Sequence, residues 1–139
     1  MLDLFSGTGS ISYEFGSRGV ASIVAVDQHP GCIRFITQTV ADLSLPITTV
    51  KMSVLLFLER NSNNYDFIFA DPPYGIELES YSSMVNTIFE KNTLAPEGLL
   101  IIEHAEQIDL SNIAQFSYAR SYGGCVFSFS CHSFGLYIL

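Results

Sequence analysis

The segment Asp71–Tyr74 contains residue types that could bind an amino group on a flat ring. It reads Asp-Pro-Pro-Tyr and directly follows the apolar run Tyr65–Ala70. Proline fixes φ and has no backbone N–H, so the turn should be rigid, with carbonyl oxygens free to accept hydrogen bonds. The Asp71 carboxylate is a further acceptor, and the Tyr74 ring offers a face for stacking. The motif predicts a site for a planar ligand such as a nucleobase, although a rigid turn anchored by a tyrosine would look the same.

A glycine-rich turn near the start of the chain is the second candidate. An apolar strand over Met1–Phe5 runs into Gly7 and Gly9, and a helix is predicted over Ser10–Arg18. Glycines let a backbone turn sharply and approach a ligand closely. The dinucleotide fingerprint is incomplete because position 12 is Ser. No phosphate-loop lysine follows, which argues against a nucleoside triphosphate site.

The next predicted strand, Ala21–Asp27, ends in an acid twenty residues after Gly7. An acid at the carboxyl end of the second strand can accept hydrogen bonds from ribose hydroxyls, although solvated strand-end carboxylates are also common. The order of the motifs carries more weight than any one of them. It predicts a nucleoside cofactor lying across a doubly wound sheet, with a planar substrate beside it.

The elements that must position these residues alternate between strand and helix. Such alternation predicts an α/β fold, a mostly parallel sheet with helices on both faces. Leu94–Gly98 is interpreted as a turn, and the tail from Gln115 predicts an antiparallel hairpin through Gly123 and Gly124. The predicted strands are Met1–Phe5, Ala21–Asp27, Ile47–Lys51, Asp66–Ala70 and Gly98–Glu103, and the predicted helices are Ser10–Arg18, Pro30–Leu43, Val54–Arg60 and Tyr81–Asn92.

Length and composition set the class of protein. The 139 residues predict one domain, 1–139, and a hydrophobic content of 48% fits a sheet buried on both faces. No segment predicts a membrane span or a signal peptide. The three cysteines lack metal-ligand spacing, so we expect no metal and reduced thiols in a cytoplasmic protein. The net charge of −8 by itself favours a small-molecule or protein substrate over a nucleic acid.

Together these motifs resemble the class I S-adenosylmethionine (SAM)-dependent methyltransferases that act on exocyclic amino groups. Within that class, Leu2–Glu14 and Tyr65–Tyr74 are most similar to the bacterial RsmD-type enzymes, the 16S ribosomal RNA guanine-N2 methyltransferases. The resemblance runs from Met1 to about Phe129. It implies a Rossmann-like fold with a seven-stranded sheet in the order 3-2-1-4-5-7-6. It also implies SAM as cofactor and 16S ribosomal RNA, or the small ribosomal subunit, as partner.

Roles for individual residues follow from the resemblance. Asp71, Pro72 and Tyr74 correspond to the catalytic residues, with the Asp71 carboxylate and the Pro72 carbonyl accepting hydrogen bonds from the target amine. Pro73, Tyr74 and Gly75 correspond to substrate-binding residues. The cofactor would contact Asp3, Phe5, Ser6, Gly7, Gly9, Asp27, Gln28, Ser53 and Val54; Ser53 and Val54 lie in the stretch where related enzymes often have an acid near the cofactor adenine.

Relatives of that kind usually begin some tens of residues upstream with a basic segment. We therefore expect an N-terminally truncated domain that binds RNA poorly and is a monomer or weak dimer. A DNA adenine or cytosine amino-methyltransferase is an alternative, as is an inactive SAM-binding fragment. Protein-glutamine methyltransferases favour Asn where Asp71 stands, which lowers that option.

Two further groups have ordinary structural interpretations. Glu103 and His104 could do acid–base chemistry, but a hydrogen-bonded pair at a strand end is the simpler interpretation. The tail aromatics fit sheet faces better than a nucleic-acid platform; they are Tyr118, Tyr122, Phe127 and Phe129.

Overall fold

The structure, a computed structural model, describes residues 1–132. The last seven residues of the predicted 1–139 domain lie outside this range. The strands are β1 (Leu2–Leu4), β2 (Ile23–Asp27), β3 (Ile47–Lys51), β4 (Tyr65–Ala70), β5 (Leu94–Ala105), β6 (Phe116–Tyr122) and β7 (Cys125–Ser130). The helices are α1 (Ser10–Ser17), α2 (Pro30–Leu43), α3 (Val54–Arg60) and α4 (Leu78–Glu90).

The seven strands form a sheet with the order β3-β2-β1-β4-β5-β7-β6, which confirms the predicted order and fold class. Strands β1 to β5 pair in parallel, whereas β7 runs antiparallel to both β5 and β6. Parallel neighbours need crossover connections, and the helices between them supply these. From β1 the chain first adds strands β2 and β3 on one side and then β4 and β5 on the other. The carboxyl ends of β2, β1 and β4 are therefore neighbours.

Hydrophobic side chains on the two faces of the sheet form two cores. The larger one joins sheet residues such as Leu4 and Ile68 to Met84 and Ile88 of α4. The smaller one packs Ile36 of α2 against β2 and β3. Because each fully buried aliphatic side chain contributes roughly 1.5–3 kcal/mol, these cores hold the strand ends at fixed positions.

Strand β5 begins four residues earlier than predicted. Leu94 pairs with Tyr65, but the next pair joins Leu99 to Phe67, so the residues between them bulge out of the ladder. Glu97 in this bulge has a φ of 64°. The predicted turn is therefore wrong as an element boundary, because Pro96 and Gly98 interrupt a strand whose pairing resumes beyond them.

The predicted hairpin is confirmed. Tyr122 pairs with Cys125, and the two residues between them, Gly123 and Gly124, have φ of 52° and 91°. Two positive φ values are what a two-residue turn needs to match the twist of its strands, and glycine adopts them without strain.

Helix α4 also begins earlier than predicted, at Leu78 instead of Tyr81. Within residues 1–132, no helix is long and apolar enough to cross a membrane. The same part of the chain contains no group of three or more His, Cys, Asp or Glu residues that could hold a metal ion. Cys32 and Cys125 are free thiols, and all three cysteines are of intermediate exposure.

Candidate active site

The glycine turn between β1 and α1 is packed on one side and open on the other. A Cβ on Gly9 would lie 2.8 Å from the Tyr13 ring and 2.9 Å from Ile36, so a side chain there would clash. A Cβ on Gly7 would meet nothing within 4 Å. Both glycines have positive φ, 55° at Gly7 and 90° at Gly9. Gly9 is therefore needed for packing, whereas Gly7 faces space that a ligand can enter.

Asp27 organises this turn from the end of β2. Its Oδ2 accepts a hydrogen bond from the Gly7 N–H at 2.9 Å, and its Oδ1 accepts one from the His29 N–H at 2.8 Å. The Gly9 N–H is donated to the Ser6 carbonyl at 2.9 Å. The backbone N–H groups of Gly7 and Gly9, two residues predicted to contact the cofactor, are thus used inside the turn. A carboxylate has about four acceptor positions, so Asp27 keeps capacity for hydroxyl groups.

Asp3 is a buried acid in the middle of β1. It is 2% exposed, and its Oδ2 accepts a hydrogen bond from the Ser12 hydroxyl at 2.6 Å. Burial raises the pKa of Asp3 to about 6; the Ser12 bond opposes this shift, while the negative charges of Asp71 and Asp27 add to it. Asp3 therefore lies within electrostatic reach of both strand-end acids.

Asp71 follows β4 at the same edge of the sheet. Its backbone N–H donates to the Leu4 carbonyl at 3.3 Å, which places it directly beside the end of β1. The residue is solvent-accessible, yet desolvation of its carboxyl group raises the pKa to about 6, and the charge of Glu103 adds to the shift. The pKa of the buried Tyr81 phenol is also raised, by burial first and then by Asp71 and Tyr74.

The aromatic ring of the same loop is free to bind. Tyr74 is 85% exposed, whereas Pro72 is buried and fixes the base of the loop. An exposed ring on a rigid turn beside an acceptor carboxylate is suited to stacking on a planar substrate.

The edge of the sheet as a whole is acidic. Asp3, Asp27, Asp71 and Glu103 lie close together there. None of the four forms an ion pair within residues 1–132, since the one ion pair there joins Glu14 of α1 to Arg18, its C-cap, and both side chains are exposed. Uncompensated carboxylates raise each other's pKa and create a negative potential. The site therefore favours a cationic ligand.

A family model described as "Conserved hypothetical protein 95" matches residues 1–130. This chain belongs to that family. Ribosomal RNA small subunit methyltransferase D of Buchnera aphidicola subsp. Baizongia pistaciae is 26% identical over 109 residues, which cover 78% of this chain and 55% of that protein. The chain thus spans about half the length of this relative.

Two solved structures share the fold of this Conserved hypothetical protein 95 member. A hypothetical protein of Thermus thermophilus has a TM-score of 0.81 at 22% identity, covering 94% of this chain and 73% of its own. Magnesium protoporphyrin IX methyltransferase from Synechocystis PCC 6803, solved with bound SAM, has a TM-score of 0.73 at 13% identity, covering 95% of this chain and 69% of its own. At these identities the likeness shows the fold alone, the class I methyltransferase fold.

The structure of the Conserved hypothetical protein 95 member brings the predicted site residues to one edge. Those in or after β1, β2 and β4 are Asp3, Phe5, Ser6, Gly7, Gly9, Asp27, Gln28, Asp71, Pro72, Pro73, Tyr74 and Gly75. Ser53 and Val54 follow β3 at the same edge, two strands from β1. The Ser53 hydroxyl accepts a hydrogen bond from the Leu56 N–H at 3.4 Å as the cap of α3, and Val54 is 5% exposed in the larger core. Their contact with adenine stays a prediction.

Two residues at this edge, Ser12 and Tyr81, were not predicted from the sequence, and Glu103 was expected only to form a hydrogen-bonded pair with His104. Ser12 holds Asp3, Tyr81 lies near Asp71, and Glu103 lies beside Asp71. His104, considered earlier with Glu103, instead bonds the Ser128 hydroxyl at 2.8 Å and the Ala105 carbonyl at 3.0 Å. Side chains alternate along a strand, so neighbours 103 and 104 face opposite sides of the sheet. This alternation, combined with the predicted order of the strands, could have indicated that Glu103 lies on the same face of the sheet as Asp71.

A surface recess of about 460 Å³ lies at the opposite, amino-terminal edge of the sheet, lined in part by Val24 and Tyr65. Its charged side chain is Asp66, and the glycine turn and the Asp71 loop take no part in it. The groups that could do chemistry converge at the other edge.

Proposed function

We propose that this chain is a SAM-dependent ribosomal RNA methyltransferase that modifies the exocyclic N2 amino group of a guanine in small-subunit RNA. The observation that carries the proposal is the junction of Asp71 with Leu4, where the substrate loop meets the strand leading into the glycine turn. The name of the Buchnera relative supports the RNA substrate. The bound SAM in the Synechocystis structure supports the cofactor.

The residues at this edge fit SAM in shape and charge. The open side of Gly7 admits a ligand, and the Ser6 hydroxyl is buried with no hydrogen-bond partner among residues 1–132. Asp27 has acceptor positions left for ribose hydroxyls. The acidic edge suits a ligand with a sulfonium and an ammonium group. The proposed cofactor contacts are Asp3, Phe5, Ser6, Gly7, Gly9, Asp27, Gln28, Ser53 and Val54.

Asp71 and Pro72 would prepare the target amine. An aromatic amine is a weak nucleophile because its lone pair is delocalised into the ring. If the Asp71 carboxylate and the Pro72 carbonyl each accept one N–H bond, the lone pair is directed away from both and toward the cofactor. When bound, SAM supplies an electrophilic methyl carbon; the N–C bond forms as the C–S bond breaks, and that electron pair stays on sulfur.

The proton released from nitrogen needs an acceptor, and the Asp71 carboxylate is placed to take it. With a pKa of about 6, Asp71 is mainly ionised at neutral pH and is a better base than an ordinary aspartate. Alignment of bound reactants is the larger contribution, since it can lower a barrier by about 7–11 kcal/mol.

Substrate binding would rely on stacking more than on charge. Tyr74 is exposed and can stack on a base that has left its helix, worth about 1–3 kcal/mol. The six Lys and Arg residues are outnumbered by 14 Asp and Glu, so we expect weak, salt-sensitive RNA affinity. The proposed partner is 16S ribosomal RNA or the small ribosomal subunit, in the cytoplasm.

The proposal is tested by binding and transfer assays on the whole chain. Calorimetry with SAM should give saturable binding, and labelled methyl groups should pass to undermethylated small ribosomal subunits and not to DNA. Asp71→Ala should abolish transfer and keep SAM affinity. Asp66→Asn, an exposed acid at the other end of β4, is the matched control and should behave as wild type.

Each result has a distinct meaning. Absence of SAM binding would overturn the cofactor assignment. Transfer to DNA in preference to RNA would favour an amino-methyltransferase acting on DNA. Loss of both SAM binding and transfer in Asp71→Ala would show that Asp71 has a structural role.

A further inference from the structure

We propose that Glu103 is a specificity-determining residue of this site, accepting a hydrogen bond from the ring N–H that lies beside the methylated amino group. The inference rests on the proposed function and specifies how the site selects guanine. Asp71 would bind the amine itself, and Glu103 the neighbouring ring nitrogen. The two carboxylates would then form a row of acceptors that matches a row of donors on the substrate.

The strand register places the two carboxylates side by side. In the parallel ladder between β4 and β5, Phe69 pairs with Ile101 and Ala70 pairs with Ile102. The next positions on the two strands are Asp71 and Glu103. Adjacent strands lie about 4.8 Å apart, and residues in register share a face of the sheet. Asp71 and Glu103 therefore project from the same face at the carboxyl edge.

Electrostatic contacts from a third strand agree with this placement. The pKa of Asp71 is raised by desolvation and then by Glu103. The pKa of the Cys125 thiol on β7 is raised by burial first, then by the charge of Glu103 and by a hydrogen bond with it, and further by Asp71. Cys125 pairs with Ala105, two residues beyond Glu103 on β5. The Cys125 thiol thus interacts electrostatically with the carboxylates of both Glu103 and Asp71.

The hydrogen bond with the Cys125 thiol does not require an acid at position 103, since a neutral acceptor would serve equally well. It is half-buried at the edge of the sheet, between two core residues, Ile102 and His104, whose side chains face the other side. No ion pair between Glu103 and a basic side chain occurs in the described part of the chain. A half-buried carboxylate beside a second one is costly unless a donor pairs with it.

Base chemistry then distinguishes the substrates. On the Watson–Crick edge of guanine, the ring nitrogen N1 beside the exocyclic amine carries a hydrogen, so amine and ring present adjacent donors; the other neighbouring ring nitrogen, N3, lies off this edge. On adenine and cytosine, the ring nitrogen beside the amine is an acceptor with a lone pair. A carboxylate facing that lone pair is repelled and loses its partner. The Asp71–Glu103 pair therefore fits guanine and rejects the other two amino bases.

The test uses a substrate analogue that lacks this ring hydrogen; since the analogue also lacks the O6 oxygen of guanine, the preference is compared between variants at position 103. 2-Aminopurine keeps the 2-amino group of guanine but has a lone pair where guanine has N1–H. Methyl transfer is measured with the whole chain on RNA carrying either base at the target position. We expect wild type to prefer guanine by about 10- to 100-fold in kcat/KM, the range of one well-placed base contact.

Substitutions at position 103 should alter that ratio specifically. Glu103→Gln can turn its amide N–H toward the lone pair, so the preference should fall to within a few fold, with SAM affinity and melting temperature unchanged. Glu103→Asp keeps a carboxylate and should retain part of the preference. Glu97→Gln removes the same charge from the other end of β5 and should leave the ratio at its wild-type value.

The outcomes separate the two proposals. Equal transfer to guanine and 2-aminopurine by wild type, or an unchanged ratio in Glu103→Gln, would overturn the role of Glu103 while leaving the methyltransferase intact. Transfer to neither RNA would overturn the proposed function, and the Glu103 assignment with it. A Glu103→Gln protein that fails to fold would leave Glu103→Asp to decide, since a purely structural acid would keep the full wild-type ratio there.

Discussion

The backbone N–H of Gly7 donates a hydrogen bond to Oδ2 of Asp27 at 2.9 Å, which joins the turn after β1 to the end of β2. The second oxygen of the same carboxylate accepts from the His29 N–H at 2.8 Å. Asp27 thus holds the glycine turn and the start of the loop after β2 in position without a ligand. A residue expected only to bind ribose also holds two loops together.

Asp27→Ala should therefore lower both stability and SAM affinity. Two backbone N–H groups lose their acceptor, and hydrogen bonds to charged groups contribute about 1.5–3 kcal/mol each, less where water can replace them. Denaturant unfolding and SAM calorimetry measure the two effects, with Asp42→Ala, an exposed acid on α2, as control. Unchanged stability would contradict the loop-tying role, and unchanged affinity would contradict the ribose role.

Methyl transfer should depend on pH through Asp71. Its pKa of about 6 means that the carboxyl group is mainly protonated below that value, where it is a weaker acceptor for the amine N–H and cannot take the released proton. The rate at saturating SAM should rise about tenfold per pH unit below 6 and level off above 7. A pH–rate profile measures this dependence. A flat profile between pH 5 and 8 would contradict Asp71 as the proton acceptor.

The buried Asp3 should make the folded state less stable as the pH rises. Its pKa is 3.8 unfolded and about 6 folded, so the folded protein binds the proton more tightly. Its stabilising contribution is fully present below pH 4 and is lost as the pH rises to 6, a change on the order of 2–3 kcal/mol.

Asp3→Asn removes that titration and keeps an oxygen for the Ser12 hydroxyl. We expect the variant to match wild type near pH 4 and to exceed it in unfolding free energy at pH 7, while SAM binds more weakly. Urea unfolding at several pH values measures the difference. A variant less stable than wild type at pH 7 would show that the charge of Asp3 is compensated in the folded protein.

Tyr74 should contribute to substrate binding and not to the stability of the fold. Its side chain is 85% exposed, so Tyr74→Ala should leave the melting temperature unchanged. Loss of a stacking face worth about 1–3 kcal/mol should lower kcat/KM for RNA by roughly 5- to 150-fold, while Tyr74→Phe keeps the ring and most of the activity. Equal activity of Tyr74→Ala and wild type would contradict the stacking role.

Much of the fold was predictable from local signals. Proline at the first turn of α2 and serine as the cap of α3 mark helix starts, and α2, β3 and α3 have the predicted bounds. The Gly-Gly turn predicts the hairpin because its conformation is decided within four residues. The early start of β5 was missed because pairing with Tyr65 overrides the local preference of Pro96 and Gly98.

The sequence alone determined the order of strands and helices and the two motifs at the ends of β1 and β4, since periodicity and turn chemistry act over a few residues. The groups that contact the carboxylates of the site could be identified only from the tertiary structure. Asp27 takes the amide of Gly7, Ser12 holds Asp3, and Glu103 stands beside Asp71. The contacts of Asp27 and Glu103 depend on the pairing of strands far apart in the chain, and the contact of Ser12 depends on how α1 packs on β1. Both are decided when the buried faces of these elements pack together.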